Sequence, residues 1–314
     1  MVPRGGEIAG EGRARPVRLR LKRGSRVEFC IAVAYNDPNH LCEIARAAEE
    51  AGFGGIIVSD HVVYPGNLET PYPYTSHGRP RWESQTPWPD PLIAVGAMAA
   101  VTERIRFIVS IYLLGLRHPL LAAKSITTAA VMSQNRLVLG VGAGWMREEF
   151  DLMDLSFEER GRRLDESIGV LRTLLAGGMV EHHGSFYDFG PVEMSPVPSA
   201  ALPIYGGGVS PVALRRAATL CDGWASEIQT TEELDRILAT LRALRRESPR
   251  AEEPFGICAA LRDVFGLDDY RAMRDRGVTE LITVPWLFYG DQTQSCSEKC
   301  DGIRRFADEV LTQL

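Results

Sequence analysis

Three successive glycines, Gly206, Gly207 and Gly208, are followed by Val209, Ser210 and Pro211. They sit between a short apolar run and a helical pattern. Glycine weakens strands and helices alike, so three together need a reason. Bare backbone can approach a ligand closely, and the next helix offers unpaired N–H groups and the positive end of its dipole. Ser210 can cap that helix and add a hydroxyl. The chemistry this suits is holding a phosphate; a tight strand-to-helix turn without a ligand is the plain alternative. A second cluster, Gly140, Gly142, Ala143 and Gly144, ends at Trp145. Alternate glycines clear one face of a strand, either for a flat ligand walled by Trp145 or for close packing at a barrel corner. A third group is polar: Ser59, Asp60 and His61 follow the apolar "GGIIV". Histidine can hand over a proton near neutral pH, and Asp60 can orient it or bond loop backbone. A lone histidine is also a common structural residue.

These groups need elements to position them. Short apolar or β-branched runs recur, each followed by a helical pattern. "VEFCIAVAY" precedes "HLCEIARAAEEAG", "GGIIVSD" precedes "PLIAVGAMAAVT", and "RIRFIVSIYLL" precedes "PLLAAKSITTAAVMS". "RLVLGVGAG" precedes "EERGRRLDESIGVLRTLLAG", where Leu164, Ile168, Leu171, Leu174 and Leu175 share one helical face. The second half repeats the pattern, from "LPIYGG" with "SPVALRRAATLC" through "GWASEI" and "PFGICAAL" to "TELITVPWL" with a final helix in "CDGIRRFADEVLTQL". Such alternation predicts an α/β fold with a parallel sheet, and its count fits a (β/α)8 TIM barrel over residues 27–314. A doubly wound sheet would more often carry its glycine fingerprint in the first unit. Asp37-Pro38, Asp90-Pro91, His118-Pro119 and Ser210-Pro211 read as helix starts, with proline at the first helical position. All four lie between a strand end and a helix start, the catalytic side of a barrel.

Residues 62–89 form a long loop rich in proline and aromatics (Tyr64, Tyr72, Tyr74, Trp82, Trp88), which predicts a lid. A small hairpin, "VEHHGSFYDFG", precedes the fifth strand, with His182 and His183 read as part of an exposed turn and not as metal ligands. No metal site is expected. Six scattered cysteines read as reduced thiols of a cytoplasmic protein, with Cys296 and Cys300 near or on the last helix. Residues 1–26 carry eight basic side chains against two acidic ones, although the whole chain has a net charge of −6. That arm reads as a disordered leader, and the acidic body argues against nucleic acid as partner. No apolar run is long enough to span a membrane.

The blocks "WPDPLIAVGAMAAVTERIRF", "LRHPLLAAKSITTAAVMSQNRLVLGVGAGWMREEF", "FEERGRRLDESIGVLRTLL" and "PIYGGGVSPVALRRAATLCDGWA" together resemble the luciferase-like monooxygenase superfamily. Within it they are most similar to oxidoreductases using the deazaflavin coenzyme F420. The resemblance implies a coenzyme ring at the C-terminal ends of the strands, near Ser59 and the Gly142–Trp145 segment. It implies a phosphate at Gly206, Gly207, Gly208 and Ser210, and a strand-three bulge with a cis peptide at Ser110-Ile111. His61, with Asp60 beside it, matches a histidine that sugar-phosphate and secondary-alcohol dehydrogenase relatives place at the hydride-transfer centre. Two positions depart: Trp145 stands where those enzymes have glutamate, and Pro65 where they have tryptophan. The expected function is F420-dependent hydride transfer with an unidentified small organic molecule. The alternatives are a reduced-FMN monooxygenase and a non-catalytic flavin-binding barrel. Such relatives are often homodimers, which the residues here leave open.

Overall fold

Every barrel strand must bury both faces, one against its neighbours across the barrel and one against helices. The computed structural model, which describes residues 27–290 and 294–314, shows how the apolar runs meet that demand. The arm at residues 1–26 lies outside the described residues. Strands β1 (Glu28–Ala32), β2 (Gly55–Val58), β3 (Arg106–Tyr112) and β4 (Leu137–Val141) form the first half of the barrel. A hairpin of β5 (Met179–His183) and β6 (Asp188–Glu193) intervenes. The second half is β7 (Ile204–Gly207), β8 (Gly223–Gln229), β9 (Gly256–Leu261) and β10 (Glu280–Thr283). The eight barrel strands close in the order β1-β10-β9-β8-β7-β4-β3-β2, every pairing parallel. This is the expected (β/α)8 barrel.

Side chains alternate along each strand. Cys30, Ile57, Ile108, Val138, Tyr205, Ala225 and Cys258 fill the interior. Phe29, Ile31, Ile56, Phe107, Val109, Leu137, Leu139 and Ile204 point outward into the helical layer. That layer comprises α1 (Leu41–Glu50), α2 (Pro91–Ala99), α3 (Pro119–Met132), α4 (Arg147–Leu152), α5 (Arg160–Leu175), α6 (Pro211–Leu220), α7 (Thr231–Arg246), α8 (Leu267–Arg276) and α9 (Cys296–Glu309). Asp90, His118 and Ser210 cap α2, α3 and α6 with their side chains, each ahead of a proline. Asp37 instead caps a short 3-10 turn, Pro38–His40, that leads into α1.

The stretch between β4 and α5 holds α4, a short helix without a side-chain cap. The last helix begins at Cys296, because Ser295 and Glu298 form a capping box there. His182 and His183 lie on β5 and not in the turn. His182 Nε2 meets Glu166 Oε1 at 3.1 Å, while the Glu166 carboxylate also accepts the amides of Ser185, Phe186 and Tyr187. The six cysteines are free; burial pushes the Cys221 thiol up to about 12. Among the described residues no helix is long and apolar enough to cross a membrane.

Candidate active site

The strand ends and the loop 62–89 enclose a cavity of about 700 Å³ at the C-terminal mouth of the barrel. Ser59, Asp60, Ser110 and Ile111 form one part of its wall. Gly142, Ala143, Gly144 and Trp145 form another, and Gly207, Gly208 and Ser210 a third. Eleven of the thirteen residues singled out from sequence therefore converge on one space; His61 and Gly206 are not on its wall.

Gly206 is turned the other way. A Cβ there would stand 2.9 Å from both Cα and Cβ of Ala217 on α6. It lets the helix lie close against β7, and strand alternation leaves Gly207 to face the mouth. Gly208 takes φ +100°, a left-handed value that favours glycine, and turns the chain into α6. The fully buried Trp224 fixes this turn by donating its indole N–H to the Gly208 carbonyl at 2.9 Å. Val209, Ser210, Val212 and Ala213 carry the cavity wall onto the first turn of α6, where Pro211 has no N–H, Ser210 Oγ accepts the Ala213 amide at 3.3 Å, and the Val212 amide lacks a partner within the helix.

Across from that turn stands Arg160, also on the wall. Its Nε donates to the Gly144 carbonyl at 3.2 Å and its Nη1 to the Phe157 carbonyl at 2.8 Å. These acceptors are neutral, so they fix the guanidinium without cancelling its charge. The helix terminus and Arg160 together make one end of the cavity favourable for an anion. Arg160 sits in the charged run "EERGRR", which as sequence reads like a solvated helix face.

The other glycines do something different from what bare backbone suggested. A Cβ on Gly142 would stand 1.9 Å from Ile111 Cδ1 and one on Gly207 2.7 Å from Ile111 Cγ2, whereas one on Gly140 would stand 2.3 Å from the Val109 carbonyl oxygen, where the β3 and β4 backbones approach closely. The group lying in the glycine-cleared space is thus the Ile111 side chain. The Ser110-Ile111 peptide is cis, and the β3–β4 register shifts between Val109 and Tyr112. Ile111 lines the cavity at the barrel end as an apolar floor.

Asp60 does not orient His61. Its carboxylate accepts Arg117 Nη1 at 2.7 Å, Arg117 Nη2 at 2.9 Å and the Leu113 amide at 2.9 Å. It fastens the end of β2 to the segment after β3. His61 is held by Glu149 on α4: Nδ1–H donates to Oε2 at 3.0 Å. The His61 ring packs among Trp82, Trp88 and Trp145, with centroids 5.1, 4.9 and 6.0 Å away. Glu149 also accepts the Val62 amide at 2.7 Å.

Two more carboxylates secure the lid. Glu148 accepts the Glu69 and Thr70 amides at 2.8 Å each. Glu227, at the end of β8, accepts the Tyr72 hydroxyl at 3.2 Å and pairs with Arg81. The loop 62–89 is therefore a roof of packed aromatics, with Tyr72, Trp82 and Met146 buried in it. Sequence reasoning places Glu148 and Glu149 near the position of the usual acid but not their partners, and misses Glu227, because those partners are distant in the chain.

The sequence profile of luciferase-like monooxygenases matches residues 20–301. The uncharacterised protein Rv0940c of Mycobacterium tuberculosis is 35% identical over 291 residues, which cover 92% of this chain and all of that protein. An F420-dependent glucose-6-phosphate dehydrogenase of Nakamurella multipartita is 30% identical over 244 residues, covering 76% of this chain and 67% of the relative. Among solved structures, the monooxygenase RslO1 of Streptomyces bottropensis superposes with a TM-score of 0.69 at 20% identity, over 91% of this chain and 99% of its own. The profile match spans most of the chain and the barrel agrees with it: the chain belongs to the luciferase-like monooxygenase family of oxidoreductases.

Proposed function

We propose that the mouth cavity binds the deazaflavin coenzyme F420 and that the protein moves a hydride between it and a small organic substrate. The observation that carries this reading is the polarity of one continuous cavity. An anion-favouring end, built by Gly207, Gly208, the first turn of α6 and Arg160, runs into an apolar floor at Ile111. That is the shape of a molecule with a phosphate at one end and a flat ring at the other. The similarity to enzymes named as F420-dependent dehydrogenases supports the choice of ring.

When bound, the deazaflavin supplies the hydride chemistry; the protein supplies position and environment. Arg160 and the free backbone amides where β7 turns into α6 would hold the phosphate. Ile111 would support the ring from below, beside the Ser110 hydroxyl. The lid aromatics Tyr72, Trp82 and Trp88, packed with Trp145 after β4, exclude water from above. His61 is a positioning residue in this reading. Its ring stands behind the cavity wall and, through Glu149, ties the end of β2 to the lid and α4. Because Trp145 occupies the position of the usual acid, sugar-phosphate oxidation is not carried over.

The test is titration of the purified protein with F420 and with FMN. Saturable F420 binding, followed by its absorbance, with loss of affinity in Arg160→Ala, supports the reading. FMN binding with oxygen-dependent turnover and no response to F420 overturns it in favour of a flavin monooxygenase on the same scaffold.

A further inference from the structure

A second chamber of about 660 Å³ opens off the mouth on the side of β1, β8, β9 and β10. It meets the first cavity at Tyr35, Ser59, Ser110, Ser226 and Glu227, which line both. Its body is hydrocarbon: Ala32, Ile57, Ala260, Ile282, Leu287 and Phe288. The charged groups on its wall are matched. Arg81 pairs with Glu227, which also accepts the Tyr72 hydroxyl, and Arg262 pairs with Glu233 at 3.2 Å.

From this arrangement we propose that the second chamber is the substrate site and that it takes a neutral, hydrocarbon-bodied molecule bearing one carbonyl or hydroxyl group. The assignment of substrate rests on the coenzyme reading of the first cavity. The physical reasoning is about what each candidate would lose. A sugar phosphate brings a dianion and a shell of hydroxyls. In this chamber its hydroxyls would lie against aliphatic walls and its phosphate would meet the Glu227 carboxylate, with Arg81 and Arg262 already paired to Glu227 and Glu233. A neutral hydrocarbon body loses only water that the walls bind poorly. Such a chamber lies within the size range of small-molecule sites, with few polar groups to fix orientation.

Those polar groups cluster at one end. The Ser226 Oγ accepts the Ala260 amide at 2.7 Å, which leaves its O–H to donate. Ser59, Ser110 and Glu227 stand at the same junction. The polar function of the substrate is thereby directed to the first cavity and its hydrocarbon part into the second. Leu287 and Phe288, each 43% exposed, form an apolar rim.

The test uses the full chain and a series of straight-chain 2-ketones from four to ten carbons, with binding read by tryptophan fluorescence in the absence of coenzyme. The expected result is a gain of about fourfold in affinity per added methylene, until the chain fills the chamber. Glucose 6-phosphate at equal concentration produces no binding signal. Leu287→Asp, at the exposed rim, weakens the longer ketones at least tenfold, and Ala260→Phe blocks them by filling the chamber. Affinity independent of chain length, tighter binding of glucose 6-phosphate than of the ketones, or an unchanged series in both variants overturns the proposal. F420 titration of the same variants is the separate arm. Ketone binding with no F420 response leaves the chamber's ligand class standing and removes the coenzyme reading, and with it the naming of that ligand as substrate.

Discussion

Ile111 occupies the volume that Gly142 leaves open: a Cβ on the glycine would stand 1.9 Å from Ile111 Cδ1. The two residues are one packing unit, and Gly207 closes it from the adjacent strand with a Cβ position 2.7 Å from Ile111 Cγ2. Gly142→Ala forces Ile111 to move and destabilises the barrel by about 1–3 kcal/mol, the usual cost of overpacking. Ile111→Ala in the same chain recovers part of that loss, because the new methyl then enters vacated space. A double-mutant cycle in urea should give a coupling energy of at least about 0.5 kcal/mol; additive losses would show that the pair does not pack as described.

Glu149 is 1% exposed and accepts His61 Nδ1–H and the Val62 amide. Glu149→Ala leaves these donors without their acceptor and costs about 1–3 kcal/mol. Limited proteolysis should then cut within residues 62–89 faster than in the native chain. His61→Ala loosens the same region, and its effect on turnover follows coenzyme retention. A His61 variant that keeps a native lid and full coenzyme affinity yet loses hydride transfer would return the histidine to the chemistry.

Arg160 donates to the Gly144 and Phe157 carbonyls, so its guanidinium is held in place before any ligand arrives. Arg160→Ala removes a charge-assisted contact worth about 1.5–3 kcal/mol, a weakening of roughly 10- to 100-fold in coenzyme affinity. Arg160→Lys restores the charge without the fixed fork and recovers only part of it. Raising the salt concentration should weaken binding in the native protein more than in Arg160→Ala.

The Glu148 carboxyl gives the lid a pH dependence. Burial pushes its pKa up, but the amides of Thr70 and Glu69 more than offset this and hold it below the ordinary carboxylate value. A depressed folded value contributes stability that is fully present above the unfolded value of about 4.3 and is lost as pH falls through the folded one. Proteolysis of the 62–89 segment should therefore accelerate below about pH 4. In Glu148→Gln that acceleration is reduced, with faster cutting already at neutral pH.

Much of this architecture is legible in the sequence, for physical reasons. Strands buried on both faces must be short apolar runs, and Asp90, His118 and Ser210 announce helices by capping them ahead of proline. Helix α4 escapes because it is six residues long and has no side-chain cap. The start of α9 was available in Ser295 and Glu298, three positions apart as a capping box requires. At the site, residue types were readable but directions were not. Gly206 and Gly207 cannot both face the mouth when side chains alternate. A cleared strand face looks the same in sequence whether a ligand or Ile111 fills it. The His61–Glu149 contact joins positions 88 apart, a separation that no local pattern encodes.

The isoleucine floor also sets the handedness of whatever happens above it. A planar ring laid on Ile111 has one side covered by the branched side chain and only the opposite side open to a second molecule. If the ring carries a prochiral carbon, exchange there occurs on a single face. Deuterium delivered from a labelled substrate would then occupy one of two mirror-related positions and not both.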